Sequence, residues 1–241
     1  MKVKDHKLEV VTFDAEVALM SRYIDSMNRP LEILDAGCGN KWPLTLKVPY
    51  RLTGIDTDAD AMAIRKQTRS DLTTAIVGDL GTAQLPPESF DVIYCSYVLE
   101  HVNGVDRVLN NFLNWLKPDG LIIIRVPDRD AIYGWITRHT PFWLHILYKR
   151  WIEGRVNAGK PGFAPYPVFY DQEISRAGIA SFCQKHRLQL CETRGVSSYL
   201  KTSPLIRIVA RAGSSLSFGR LPWHHNNLLY IIRKPPRLSN A

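Results

Sequence analysis

The chain has 241 residues, a formal net charge of +8 and a hydrophobic fraction of 45%, which fits one large α/β domain better than two independent ones. Its first ten residues are charged, and no stretch approaches the roughly 18 apolar residues of a membrane span, so we expect neither a secreted nor an integral membrane protein. The four cysteines form no C-x-x-C pair and no zinc-type spacing, which predicts reduced thiols in a cytoplasmic protein without a metal site.

The first half of the chain alternates short apolar runs with helix-like segments, a pattern typical of βαβ units that build a parallel sheet. Residues 12–28 have apolar side chains at helical spacing and predict an amphipathic opening helix. A second helix is predicted over residues 105–116. Five strands rich in Ile, Leu and Val are predicted at residues 31–35, 51–56, 74–79, 90–96 and 121–126.

The alternation breaks after Pro127. Residues 129–170 mix aromatic and basic side chains with a Gly/Pro-rich run and predict a cap inserted into a single domain that spans residues 1–241. The pattern resumes with a helix near 172–186, a strand near 188–194, a loop through Trp223 and a last strand at 228–233. Seven strands are predicted in total.

The charges are unevenly distributed along the chain. Residues 1–120 contain 13 Lys and Arg against 17 Asp and Glu, whereas residues 121–241 contain 18 against 6. A basic half can attract phosphates, nucleic acid or an anionic membrane face. An ordinary solvated surface accounts for the same charges equally well, because net charge does not report on fold.

The most informative segment is ILDAGCGNK, residues 33–41, in which an apolar strand runs into a turn with Gly37 and Gly39. Glycines at the carboxyl end of a strand let the backbone approach a ligand closely. The third glycine of a dinucleotide-binding fingerprint is absent, since Lys41, Trp42 and Pro43 follow Asn40. This absence disfavours a pyrophosphate cradle, and with it a dehydrogenase.

Carboxylates stand at the ends of three successive predicted strands, namely Asp35, Asp56 and Asp79. Asp56 is placed to accept hydrogen bonds from ribose hydroxyls and Asp79 from an adenine amine, while Asp35 would lie near a sulfonium and its amino group. Any one of them alone is explained as a helix cap or turn residue. The three together favour a cationic nucleoside over a phosphate.

Residues 30–128 resemble the class I S-adenosylmethionine-dependent methyltransferases, and within them the methyltransferase type 11 group. The resemblance lies in ILDAGCG, TGIDTD, VGDL, FDVIYCSYVLEHV and LKPDGLIIIRVP. It implies a Rossmann-like α/β fold with a seven-stranded, mostly parallel sheet, an antiparallel last strand and helices on both faces. Two departures are Asn40, where a third glycine is frequent, and a following helix broken by Pro43 and Pro49.

The resemblance also implies S-adenosyl-L-methionine as the cofactor and assigns nine positions to it. The methionine moiety would contact Asp35, Gly37, Cys38 and Gly39, the ribose Asp56 and Thr57, the adenine Asp79 and Leu80, and the methionine end Ser96.

Methyl transfer is an in-line displacement that depends on positioning, and it needs a base only if the acceptor loses a proton. His101, just past the fourth predicted strand, is the first candidate for a catalytic base, with a structural histidine bonded to nearby backbone as the alternative. His139 and His145 are weaker candidates.

The aromatic and basic cap predicts an acceptor with a hydrophobic body, either a small molecule or a lipid-like compound, with O-methylation slightly favoured. The same mixture occurs in helices that lie on membranes and predicts peripheral contact with an anionic membrane. An ordinary packed cap is the alternative.

Two further functions stay open. An RNA methyltransferase or RNA-binding module would use the basic half, although the sequence has no RNA-binding signature and no N-P-P-Y-type motif. A protein that binds the cofactor without catalysis would share the motifs.

Overall fold

The computed structural model describes residues 8–39, 41–151, 154, 156–159, 168–169, 171–197, 204–218 and 220–237, without the side chains of residues 204–207 and 209. Asn40 and a large part of the predicted cap, namely residues 152–153, 155, 160–167 and 170, lie outside the described residues.

The core of the molecule is one sheet with the strand order β1-β7-β8-β6-β5-β2-β3-β4. The strands are β1 (Val10–Thr12), β2 (Leu31–Ala36), β3 (Tyr50–Asp56), β4 (Thr74–Val77), β5 (Phe90–Ser96), β6 (Leu116–Pro127), β7 (Gln189–Ser197) and β8 (Asn227–Arg233). All neighbouring strands are parallel except that β8 runs antiparallel to β6 and β7. The mostly parallel sheet and the antiparallel last strand are confirmed.

The sheet has eight strands, so the predicted number of seven was wrong. The additional strand is β1, a three-residue edge strand whose Val10 to Thr12 pair with Gly195 to Ser197 of β7. Three residues are too few to show the alternation by which a strand is recognised in a sequence.

The helices are α1 (Phe13–Asp25), α2 (Ala59–Thr68), α3 (Val105–Trp115), α4 (Ile132–His139), α5 (Phe142–Trp151), α6 (Arg176–Lys185) and α7 (Pro204–Leu216), with 3₁₀ turns at Leu99–His101 and Gln172–Ile174. The loop predicted up to Trp223 was therefore wrong, because α7 occupies part of it. No helix forms at residues 41–49, after the glycine turn. Among the described helices, none combines the length and apolar character needed to cross a bilayer.

Both faces of the sheet are covered, as the βαβ pattern predicted. Along β6, Ile122 and Ile124 pack into a cluster with α3 and α6, whereas Leu121 and Ile123 pack into a second cluster with α1. Strands covered on both sides need apolar residues at successive positions. This explains why β5 and β6 read as continuous apolar runs.

Helix α1 begins at the N-cap Thr12, whose hydroxyl accepts a hydrogen bond from the Ala15 amide at 3.3 Å. Its buried side chains are Glu16, Leu19, Met20 and Ile24, which form one stripe at helical spacing. Glu16 is the exception in this stripe, because a carboxylate stands where an apolar side chain is expected.

Candidate functional site

The predicted site residues come together at one edge of the sheet. Strands β5, β2, β3 and β4 are neighbours and run in the same direction. The carboxyl ends of these strands therefore meet, and this is the edge at which α/β sheets bind ligands. Ser96 and Asp56 end their strands, Asp35 is the last residue but one of β2, and Asp79 follows β4 by two residues.

The turn after β2 requires glycine at its first position. Gly37 has φ +74°, and a Cβ there would lie 2.1 Å from Cγ2 of Val98. Its amide donates to the Ile55 carbonyl at 2.8 Å. Gly39 has φ +49°, but a Cβ at this position would meet nothing within 4 Å. The turn is therefore packed on one side and open beside Gly39, where a ligand can approach the backbone.

Asp56 ties this turn to β3. Its Oδ2 accepts a hydrogen bond from the Gly39 amide at 2.8 Å, and its Oδ1 accepts one from the Asp58 amide at 3.0 Å. A carboxylate has about four acceptor positions, so two lone pairs remain for further donors. The half-buried Asp56 and the exposed Thr57 stand at the open side of the turn.

Asp79 and Leu80 form the next turn, beyond β4. Oδ1 of the exposed Asp79 accepts from the Gly81 and Thr82 amides at 2.9 and 3.1 Å. The Leu80 side chain is buried, and its carbonyl accepts from Nδ2 of Asn111 at 2.8 Å. Asp79 thus stabilises its own turn, and its second oxygen is directed to no donor among the described residues.

Asp35 lies in a buried ion pair. Arg65 of α2 donates to Oδ2 of Asp35 at 2.8 Å and to the Cys38 carbonyl at 2.7 Å. Burial raises the pKa of Asp35 to about 7 in spite of the Arg65 charge. Burial also raises the pKa of the Cys38 thiol to about 12. Asp35 therefore holds α2 against the turn, and Cys38 contributes backbone rather than a thiolate.

Ser96 belongs to a buried polar cluster that the sequence did not predict. Arg125 of β6 donates to Oγ of Ser96 at 3.2 Å and to the Tyr94 hydroxyl at 3.2 Å. It also donates to both carboxylate oxygens of Glu16 at 2.8 and 2.6 Å. Arg125 is 4% and Glu16 0% exposed. Burial alone would lower the pKa of Arg125, but the bonds to Glu16 raise it above its usual value.

The residue after β5 is strained. Tyr97 has φ +57°, which is unfavourable for a bulky side chain. The Arg125 guanidinium lies 4.9 Å from the centre of its ring, and the Tyr97 amide donates to the Arg125 carbonyl at 2.8 Å. Such strain is held in place by the surrounding contacts, and it is common beside functional sites.

The candidate base His101 lies half-buried in the 3₁₀ turn that follows β5, with its amide donating to the Val98 carbonyl at 2.9 Å. His139 and His145 lie on α4 and α5. Their ring nitrogens pair with the Trp135 carbonyl at 2.8 Å and with the Thr140 hydroxyl at 2.6 Å.

Glu100, next to His101, is a second residue that sequence reasoning missed. It is 2% exposed, and its Oε2 has no hydrogen-bond partner among the described residues. Burial raises its pKa to about 8, so the side chain is mostly a neutral carboxylic acid at pH 7. The sequence did contain a signal for a buried acid, because Glu100 is a charged residue inside the apolar segment YVLEHV.

The raised pKa of Glu100 predicts a specific pH dependence of stability. The folded protein keeps a proton on Glu100 that the unfolded chain releases near 4.5. The free energy of unfolding should therefore fall as pH rises from about 4.5 to about 8, by up to ~1.4 kcal/mol per pH unit. Glu100→Gln should remove the Glu100 contribution in denaturant titrations and leave the fall that the raised pKa of Asp35 adds below about pH 7, whereas Asp14→Asn, at an exposed position, should keep both. If plots of the free energy of unfolding against pH ran parallel for wild type and Glu100→Gln, the raised pKa of Glu100 would be contradicted.

One protein family matches the part of the chain that contains the predicted site residues. Residues 34–124 match the family described as "Methyltransferase domain", type 11. These residues run from the end of β2 to the middle of β6 and include every predicted cofactor position. This part of the chain is similar to the class I S-adenosylmethionine-dependent methyltransferases of the type 11 group.

Two relatives align over parts of this chain. A ubiquinone biosynthesis O-methyltransferase of Rickettsia conorii is 29% identical over 156 residues, which cover 56% of this chain and 50% of the relative. Phosphoethanolamine N-methyltransferase 1 of Arabidopsis thaliana is 28% identical over 110 residues, which cover 42% of this chain and 22% of the relative. The aligned regions thus span at most half the length of these two relatives.

A solved structure of an S-adenosylmethionine-dependent methyltransferase from Archaeoglobus fulgidus has the same fold. Its TM-score is 0.53 at 14% identity, with 92% of this chain and 94% of that chain covered. A similarity at this level of identity shows the fold alone. The roles of individual residues in this chain stay predictions.

Proposed function

We propose that this chain transfers a methyl group from S-adenosyl-L-methionine to a small-molecule or lipid-like acceptor, with oxygen favoured as the methylated atom. The observation that carries the proposal is the glycine turn after β2, which Asp56 ties to β3 through the Gly39 amide at 2.8 Å. This contact puts an open backbone turn and a carboxylate with free lone pairs side by side.

The donors and acceptors at this edge fit the chemistry of the cofactor. Asp56 would accept from the ribose hydroxyls, and the free oxygen of Asp79 would accept from the adenine amine. The open space beside Gly39 would admit the methionine moiety to the backbone. Acidic side chains suit a sulfonium better than a phosphate. Among the described residues, no three His, Cys, Asp or Glu side chains are grouped to hold a metal ion.

The chain's own contribution to methyl transfer is mainly positioning. The bound cofactor supplies an electrophilic methyl carbon, and the protein must hold the acceptor in line with it. Arg125 fixes the hydroxyl of Ser96 at the methionine end. His101, on the turn directly beyond, would take the proton of an acceptor hydroxyl.

The names of the relatives support a small acceptor. One is named as an O-methyltransferase of ubiquinone biosynthesis and the other as a phosphoethanolamine N-methyltransferase. Oxygen is proposed on the strength of the first name together with the aromatic cap, which suits a hydrophobic acceptor.

The test combines cofactor binding with product release. Calorimetry should detect binding of S-adenosylmethionine, and Asp56→Ala should weaken it by about 1–3 kcal/mol, or roughly 5- to 150-fold in Kd, because it leaves hydroxyls unpaired. Asp60→Ala removes an equal charge from the exposed first turn of α2 and should leave the Kd unchanged. Equal Kd values for wild type and Asp56→Ala would contradict the ribose assignment.

The acceptor is sought by incubating the protein with isotopically labelled cofactor and metabolite, lipid or RNA extracts. Release of S-adenosylhomocysteine together with label in a small or lipid-like compound is the expected result. Label in RNA would replace the proposal by the RNA methyltransferase alternative. Cofactor binding without label in any extract would favour a non-catalytic binding protein.

A further inference from the structure

The exposed apolar side chains of this protein are concentrated on the helices inserted after β6 and on α7. Among the described residues, ten of the seventeen exposed large apolar side chains lie there, and an eleventh, Phe218, lies two residues after α7. We call this set the cap surface; it consists of Trp135, Ile136, Phe142, Trp143, Leu144, Leu147, Tyr148, Trp151, Ile208, Leu216 and Phe218. A concentration of this kind marks an interaction site, whereas single exposed apolar residues are ordinary.

Helix α5 presents most of this surface on one side. Trp143, Leu147 and Trp151 are four residues apart and therefore lie on the same face, with Leu144 and Tyr148 beside them. Leu144, Leu147, Tyr148 and Trp151 line a groove of about 470 Å3. Trp143 is 60% and Trp151 81% exposed.

Two side chains of α5 contact the segment that follows the helix. A Cβ at Gly159 would lie 2.8 Å from Cδ1 of Ile146, and Nε of Arg150 donates to the Ala158 carbonyl at 2.9 Å. These contacts join α5 to Ala158 and Gly159, while Trp143 and Trp151 stay exposed.

Helix α7 extends the surface beside α4. A Cβ at Gly213 would lie 3.0 Å from Cδ1 of Ile132, and the Ile132 amide donates to the Pro222 carbonyl at 3.0 Å. Ile208 is 62%, Leu216 81% and Phe218 93% exposed. The three helices thus carry outward apolar side chains that no described part of the chain covers.

The charge on these helices has one sign. The sequences of α4, α5 and α7 contain no Asp or Glu, and the chain has no acidic residue after Glu192. Arg138, Arg150 and Arg211 are exposed beside the apolar side chains. Arginine heads and tryptophan rings at the rim of an apolar face are typical of proteins that lie in the headgroup region of a bilayer.

We propose that α4, α5 and α7 dock this protein on the surface of an anionic phospholipid bilayer. The ten residues of α5 span about 15 Å, which is half the thickness of the hydrocarbon core, so the helix lies in the interface. Basic side chains near such a surface are attracted to the anionic headgroups. A symmetric pairing of two copies through this face would bring like charges together.

The experiment is co-sedimentation with lipid vesicles. Wild type should bind vesicles of phosphatidylcholine with about one third phosphatidylglycerol, and bind pure phosphatidylcholine vesicles weakly. Raising the salt from about 0.05 to about 0.5 M should reduce anionic binding, because the Debye length shortens. Trp143→Ser with Trp151→Ser should weaken it at least about tenfold, since both aromatic anchors are lost.

The matched control is Ile64→Ser, which removes an apolar side chain that is 52% exposed on α2, outside the cap surface. It should bind vesicles as wild type does, and circular dichroism should show that all variants are folded. Equal binding by the double tryptophan variant, or no wild-type binding to anionic vesicles at low salt, would overturn the proposal. So would self-association that depends on Trp143 and Trp151 without vesicle binding.

Discussion

Replacing Glu16 with alanine is expected to lower the free energy of unfolding by about 3–5 kcal/mol. The substitution leaves Arg125, which is 4% exposed, as an uncompensated charge between β6 and α1. It also removes both 2.6–2.8 Å hydrogen bonds that join the helix to the sheet. Urea denaturation followed by circular dichroism measures the change.

Two variants show whether the loss comes from the unpaired charge. Glu16→Leu combined with Arg125→Met replaces the pair by apolar side chains of similar size and should recover most of the stability, because no buried charge is left. Arg51→Met breaks the exposed pair with Glu32, whose side chains are 68% and 42% exposed, and should cost less than about 1 kcal/mol. A Glu16→Ala effect as small as that of Arg51→Met would show that Arg125 and Glu16 are solvated.

Gly37→Ala is expected to lower the free energy of unfolding by about 2–5 kcal/mol, from left-handed backbone strain and overpacking. A Cβ at this position lies 2.1 Å from Val98, so the turn and the 3₁₀ segment after β5 cannot both keep their places. S-adenosylmethionine binding should be lost as well, because the turn carries the Gly39 amide. Thermal unfolding and calorimetry on the same sample measure the two effects.

Gly39→Ala is expected to weaken S-adenosylmethionine binding while lowering the stability of the fold only a little. Its Cβ meets nothing within 4 Å, so the cost should be only the backbone strain of about 1–2 kcal/mol. The added methyl group would occupy the open side of the turn. The loss in free energy of cofactor binding should therefore exceed the loss in free energy of unfolding. If Gly37→Ala and Gly39→Ala were equally stable, the packing of the turn against Val98 would be refuted.

The fold was largely predictable because it follows from local patterns. Strands such as β5 and β6 are covered on both faces, so they appear as apolar runs between turn signals. The antiparallel β8 was predicted through the family resemblance. Strand β1 and helix α7 were missed. The first has only three residues, and the second lies among Ser, Gly and Pro residues that favour loops in sequence analysis.

The candidate site was predictable to the level of the sheet edge but not to that of individual contacts. Asp56 and Gly39 were identified separately, and the structure joins them by a hydrogen bond. Asp35 was predicted to contact the cofactor, and the structure shows it in an ion pair with Arg65. A sequence shows that a carboxylate ends a strand, whereas its partner depends on which helix crosses that end.

The sequence by itself determined the alternation of strands and helices, the glycine turn and the acids at the strand ends, because these follow from periodicity and from the conformational freedom of glycine. Only the tertiary structure decided that Glu16 pairs with Arg125, 109 residues away, that Oε2 of Glu100 is buried without a described partner, and that Trp143 and Trp151 of α5 are exposed. Burial and long-range pairing arise when distant segments pack together, and no local pattern specifies them.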